Sequence, residues 1–323
     1  MQILTLDEIK ARIDDLAVID HMREALIAQS RGECDTPMPM HLSTSNHGEV
    51  HMKSSYRRGG KYFALKMAST FNGVGNGMMM LASAETGEPV ALLEDAGHLT
   101  DVRTAAVAAM VARELGREDR VIGILGSGIQ ARLTARFHKH VLPLERVILW
   151  GRTPERAIAC AKEIEPFAEV VIAKSAAEVA AQAKLIVTCT ASRAPLLFAG
   201  DVQTGTHVSA VGADSVGKQE LDPEILRRAD LILADSIAQC EKLGELQHAP
   251  DQVEKSVEIG EWIANALSNR RGSGALGATK PGNARADACA SKARAAPRET
   301  SSVADLTGLG VEDLYIAEMI YTQ

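Results

Sequence analysis

From Arg120 onward the sequence alternates short apolar runs with helical segments, and few folds accept that pattern. RVIGILG, RVILWG, EVVIA, KLIVTCT, HVSAVG and LILAD are of strand length, and stretches such as GIQARLTARFHKHV and TPERAIACAKEI separate them. Strands that are apolar throughout need cover on both faces, so the alternation predicts a parallel sheet between helices, a doubly wound α/β domain of Rossmann type. GILGSGIQARL lies where the first of these strands gives way to a helix. There Gly126, Ser127, Gly128, Ile129, Gln130 and Ala131 form a G-x-G-x-x-A turn. Its small residues let backbone approach a pyrophosphate, which the unpaired N–H groups of the helix start then hold. A dinucleotide cofactor is expected. An acid at the end of the second strand would bind the ribose hydroxyls of NAD, but the chain places Gly151, Arg152 and Thr153 there. Arg152 suits a 2'-phosphate or stacking on adenine, so NADP(H) is expected to be accepted beside NAD(H).

A chain of 323 residues exceeds one ordinary hydrophobic core. Before the alternation begins, LTLDEIKARI and VIDHMREALIAQS are patterned as helices, and EVHMKSSY, YFALKMAST and PVALLED as strands, which predicts a separate α+β domain. LTDVRTAAVAAMVARELG follows as a helix capped at Thr100 or Asp101 and stopped at Gly116. The predicted division is 1–117 and 118–300, with 301–323 returning to the first domain as a turn and a helix. Residues 267–300 have no period and are expected to be an irregular insertion.

A net charge of -7 offers no general attraction for nucleic acid or anionic membrane surface. The opening MQILTLDEIKARIDD has acids where a secretion signal needs basic and apolar residues, so a cytoplasmic location is expected. The five cysteines form no CxxC pair and the nine histidines show no HExxH spacing, so no disulfide framework and no metal are expected.

Taken in order, LTDVRTAA, GSGIQA, VTCTAS, VGADSVGKQELD, the GEL at 244–246 and the closing DLTGLGVEDL resemble the ornithine cyclodeaminase and mu-crystallin family over nearly the whole chain. The resemblance implies a homodimer through the first domain and an active site between substrate and cofactor domains. It also implies roles for individual residues. Lys66 would be the catalytic lysine beside the substrate carboxylate, and Arg103 the guanidinium that grips that carboxylate. Asp214 would handle the distal amine, while Met52 and Lys53 would line the substrate pocket. By residue type alone, Lys66 suits an exposed strand position, Arg103 a helix surface and Asp214 a turn or cap. His41 stands where relatives commonly have a second carboxylate-binding arginine, and Lys53 about where they often have proline. Further cofactor contacts are implied for Thr104, Thr190, Ala191, Val211 and Gly212.

The reaction implied is cyclodeamination of a small amino acid. The α-hydride of L-ornithine is removed to give an imine, the δ-amine attacks that carbon, ammonia leaves, and hydride return gives L-proline. One alternative is reduction of a cyclic imino acid such as pyrroline-2-carboxylate, or amino acid dehydrogenation. Another is a mu-crystallin-like protein that binds a small ligand with NADPH. Arg152→Ala should lower affinity for NADPH more than for NADH in a fluorescence titration, since only NADPH has a phosphate to lose as partner. Equal effects on both would instead assign Arg152 to adenine stacking or to a surface role.

Overall fold

Strand alternation builds the first of two units, Met1–Val107 together with Gly308–Gln323. The computed structural model describes residues 1–44, 48–71, 74–272 and 300–323. In this unit the strands are β1 (Gln2–Leu4), β2 (Cys34–Asp35), β3 (Met40–Ser43), β4 (Glu49–Arg57), β5 (Tyr62–Phe71), β6 (Val74–Ser83) and β7 (Pro89–Leu93). The helices are α1 (Leu6–Ala11), capped by Thr5, and α2 (Asp15–Ser30), capped by Asp14. The strands run in the order β1-β7-β6-β5-β4-β2, with β3 also paired to β4. All pairs are antiparallel except β1 with β7.

Because successive side chains alternate, the register separates two faces. Lys53 and Ser55 of β4, Ala64 and Lys66 of β5, and Met79 and Leu81 of β6 share one of them. The C-terminal helix Gly310–Tyr321 packs on these strands, and α2 packs on that helix. From Val311 to Ala317 the helix is buried on every side, which its apolar composition permits. The other sheet face carries Met40, Leu42, Met52, Leu65, Met67 and Met78. Met40 is 58% exposed, Leu42 48% and Leu65 41%, an apolar surface left uncovered by the described residues.

The second unit, Ala108–Thr307, holds an eight-stranded sheet. Helix α3 (His98–Glu114) leads into it. It starts earlier than the Thr100 or Asp101 cap expected from sequence, since Asp95 Oδ2 accepts the Leu99 N–H at 2.8 Å. Next come β8 (Val121–Leu125), α4 (Ile129–Val141), β9 (Arg146–Trp150), α5 (Pro154–Ile164), β10 (Glu169–Ile172), α6 (Ala176–Gln182) and β11 (Leu185–Thr188). Then follow β12 (Arg193–Leu197), β13 (His207–Ala210), β14 (Gln219–Leu221), α7 (Pro223–Arg228), β15 (Leu231–Ala234), α8 (Ile237–Leu243), β16 (Val257–Glu258), α9 (Ile259–Gly272) and β17 (Ser302–Asp305). The sheet order is β10-β9-β8-β11-β13-β17-β15-β16, with every pair parallel. This is the doubly wound fold that the alternation predicts, and β12 and β14 form a small separate pair.

Two boundaries differ from the sequence expectation. Ser302–Asp305 forms a buried strand between β13 and β15, so the return to the first unit begins at Gly308 rather than 301. Residues 108–117 group with the second unit. The segment expected to be irregular from 267 begins inside α9, which runs to Gly272 because Ile259, Trp262 and Ile263 recur at helical spacing and are buried. The remainder of that expectation, up to 299, lies outside the described residues. Strand β6 lies outside the sequence expectation, because after Val74 it reads GNGMMMLAS, with no further β-branched or aromatic residue to mark a strand.

The C-terminal helix reaches the sheet through Gly310, where an added Cβ would lie 2.4 Å from the Ser54 carbonyl oxygen. Gly310→Ala should therefore lower stability by about 1–3 kcal/mol, read as a lower urea midpoint with unchanged slope.

Candidate functional site

Lys66 projects from the middle of β5 toward the C-terminal helix and is 4% exposed. A lysine in such a place needs a counter-charge, and Asp313 supplies it, with Oδ2 3.1 Å from Nζ. Arg103 of α3 is buried beside them, its Nε donating to Asp313 Oδ1 at 3.3 Å and its Nη1 to Glu312 Oε2 at 3.0 Å. Lys53, directly opposite Lys66 in the β4–β5 register, donates from Nζ to the Gly308 carbonyl at 2.7 Å. Gly308 has φ +74°, and a Cβ there would lie 2.4 Å from Arg103 Nη1. The glycine gives the guanidinium its place.

Burial pushes the Lys66 amine down to about 7, with Lys53 and Arg103 adding to the effect and Asp313 opposing it. For Asp313 burial acts upward, but Lys66, Arg103 and Lys53 outweigh it and hold the carboxyl below its usual range. The cluster thus pairs a firm carboxylate with an amine that exchanges a proton near neutrality. His41 lies on β3 directly opposite His51 and shares this sheet face. Met52 does not: it pairs with Met67 and turns to the face opposite Lys53.

In the second unit the residues expected to touch a cofactor gather at the carboxyl ends of neighbouring strands. Gly126–Ala131 follow β8, Gly151–Thr153 follow β9, Thr190 and Ala191 follow β11, and Val211 and Gly212 follow β13. The strand order reverses between β8 and β11, the crevice where doubly wound sheets bind ligands. Gly126 has φ +137°, and a Cβ on it would meet the Cys189 oxygen at 2.7 Å. Gly128, the residue before α4, would meet no protein atom within 4 Å. Packing therefore requires glycine at 126 but not at 128, where the smallness suits a pyrophosphate on the helix start. These loops fit a dinucleotide. Arg152 is exposed and makes no ion pair with a described residue. Thr104 lies in the first unit, on α3, where its hydroxyl donates to the Thr100 carbonyl. Asp214 is half-exposed in the loop after β13 and accepts from Lys218 Nζ and Ser215 Oγ.

A chain of buried carboxylates, not anticipated from the sequence, fixes these loops. Glu220 accepts from Thr188 Oγ1 at 2.7 Å, from the Thr190 N–H at 2.6 Å and from the Gly212 N–H at 2.9 Å. Glu245 accepts from the Glu220 and Leu221 N–H groups, and Asp305 from those of Glu245 and Leu246. Burial raises all three, Glu245 to about 9 and Asp305 to about 7. Their signal is present in the QEL, GEL and DLTGLG motifs, whose acids hold loop backbone and, at Glu220, two threonine hydroxyls.

A family model described as "Ornithine cyclodeaminase/mu-crystallin family" matches residues 1–323. The chain belongs to this family. An uncharacterised cyclodeaminase of Sinorhizobium fredii is 35% identical over 286 residues, 85% of this chain and 80% of the relative. A Delta(1)-pyrroline-2-carboxylate reductase of Bacillus thuringiensis is 32% identical over 76% of this chain and 70% of its own. The structure of an archaeal alanine dehydrogenase, a dimer with bound NAD, superposes with a TM-score of 0.81 at 27% identity, covering all of this chain and 95% of the other. Within the ornithine cyclodeaminase/mu-crystallin family, then, names of both cyclodeaminases and reductases fall on relatives of this chain. No helix among the described residues is long and apolar enough to cross a membrane.

Asp313→Asn should cost about 3–5 kcal/mol in urea unfolding, because two buried cations lose a counter-charge. The loss should be larger at pH 6 than at pH 9. Without Asp313 the Lys66 amine falls below about 7, so the variant forgoes the protonated pair that the native protein forms at acid pH, while a neutral amine at pH 9 needs no counter-charge.

Proposed function

We propose that the chain is an ornithine cyclodeaminase-like enzyme that uses a nicotinamide cofactor for hydride transfer at the α-carbon of a small amino acid. The buried Lys66 amine, poised near neutrality against Asp313 and beside Arg103, is the observation that carries this reading. Strongly perturbed amines held beside a specific counter-charge cluster at functional sites, where an amine near neutrality can both take and return a proton.

When bound, the cofactor accepts and returns the hydride. Everything else falls to side chains. Arg103 binds the α-carboxylate through its planar fork and orients the α-carbon. Lys66 takes a proton from the α-ammonium before oxidation and returns one to the substrate nitrogen afterwards. Asp214 accepts a proton from the δ-ammonium, which frees that nitrogen to attack the imine carbon. Loss of ammonia and return of the hydride then give L-proline, with no net oxidation. The glycine turn at 126–131 would hold the pyrophosphate, and Arg152, exposed at the end of β9, supports acceptance of NADP(H).

The exposed Arg152 also favours a second reading, reduction of a cyclic imino acid with NADPH, which is the direction of the named Bacillus reductase. The uncovered apolar sheet face of the first unit supports a homodimer formed by a second copy on that face. The buried free thiols of Cys34, Cys160 and Cys240 suit a reducing cytoplasm.

Ornithine conversion, followed by ammonia release, and reduction of pyrroline-2-carboxylate should both fall roughly a thousandfold in Lys66→Met and Arg103→Ala. Asp214→Asn should suppress the first more than the second. If wild-type protein reduces the cyclic imine but releases no ammonia from ornithine, the reductase reading stands alone. Activity should carry a titration near pH 7 that disappears with Lys66. In light scattering, Leu65→Asp with Met67→Asp should convert a dimer to a monomer.

A further inference from the structure

Beyond Lys53 on the same sheet face, the β3–β4 hairpin brings three metal-ligating side chains together. His51 and Glu49 are two residues apart on β4 and therefore point the same way, and His41 is the cross-strand partner of His51. One ligand atom of each lies within 4.8 Å of those of the other two. His51 Nε2 is 3.8 Å from Glu49 Oε2, and the two imidazole centroids are 4.7 Å apart. His41 is exposed, while Glu49 and His51 are half-buried.

We propose that His41, Glu49 and His51 form a binding site for a transition-metal dication of the zinc class, with one coordination position open. Two imidazoles and one carboxylate are the donor set of three-ligand zinc sites that keep a place for a further oxygen. Zinc at about 2.1 Å from each donor would bring the donors to roughly 3.4 Å from one another. Side-chain rotation of about an ångström closes the triad from its present spacing, and the exposure of His41 makes that rotation inexpensive. Sequence spacing concealed the site, because the donors meet only through strand pairing. Neutral imidazoles and one carboxylate leave the bound ion a net charge of +1. It lies on the face that carries Lys66 and Lys53, and His51 is two residues, about 7 Å, along the strand from Lys53. If the enzymatic reading above is right, the open position takes a carboxylate oxygen of the substrate.

Zinc and cobalt binding to the full-length protein tests the site without any need for turnover. Equilibrium dialysis should show one zinc per chain lost on replacing His51, and cobalt(II) should give the visible absorption of a nitrogen- and oxygen-ligated tetrahedral ion. His41→Ala and His51→Ala should each weaken zinc by more than about tenfold, and Glu49→Gln should weaken it by less. Unchanged nicotinamide affinity and thermal unfolding in His51→Ala would show that the loss is local. Zinc affinity that survives in a His41→Ala, His51→Ala double variant, or no wild-type binding at micromolar zinc, overturns the site. Added zinc should also lower KM for the substrate in wild type but not in His51→Ala. Zinc that binds at these residues without changing KM overturns the carboxylate role alone, and absence of any turnover bears on the enzymatic reading, not on the dialysis.

Discussion

A lysine buried under a helix is the constraint from which the first unit takes its form. Lys66 needs a counter-charge, and its cross-strand partners Lys53 and Met79 have none to offer. The carboxylate comes from Asp313, on a helix distant in sequence that must return and lie flat on β4 to β6. Removing one member of such a pair strands the other in a low-dielectric interior, so the pair ties the placement of the C-terminal helix to the chemistry of the amine. Lys53, Lys66 and Arg103 together bring three cationic groups against Glu312 and Asp313. That concentration of donors suits a site that receives a carboxylate.

The proposed substrate and the Lys66 proton would be coupled through charge. An α-carboxylate placed beside Lys66 would favour the charged amine and raise it from about 7, which would strengthen its pull on the proton of an α-ammonium. The same amine, once charged, has a proton to return to a substrate nitrogen. Burial sets the poise, and the ligand moves it.

Much of this was legible in the sequence, and the parts that were not share a cause. The parallel sheet showed itself because fully buried strands are apolar throughout, and the glycine turn because its position after a strand is meaningful in itself. Lys66, Arg103 and Asp214 could be named from their motifs, but not their partners, since pairing across the fold leaves no local pattern. Glu312 and Asp313 read as helix-start acids, and Glu220, Glu245 and Asp305 as ordinary charges in loops. Met52 shows the opposite limit: adjacency to Lys53 suggested a shared pocket, yet strand alternation sends the two to opposite faces. The cross-strand placement of His41 and His51 was equally hidden, because register is decided by the whole sheet rather than by the residues between.

The stretch from Asp305 to Asp313 joins these constraints along one short length of chain. Asp305 holds the loop at Glu245, which in turn holds Glu220 and, through it, the backbone at Thr190 and Gly212. Thr307 is fixed by Asp235, which accepts both its N–H and its hydroxyl. Gly308 receives the Lys53 amine on its carbonyl and leaves room for Arg103, and Gly310 allows the closest approach to β4. Glu312 and Asp313 then hold Arg103 and Lys66. Asp305, Gly308, Glu312 and Asp313 thus act on a loop proposed for cofactor or on a side chain proposed for substrate, while Thr307 and Gly310 fix the backbone between them. A change at one of these positions would therefore be felt as a loss of catalytic geometry as well as of stability, which explains how a segment without a catalytic side chain can be among the most recognisable in the sequence.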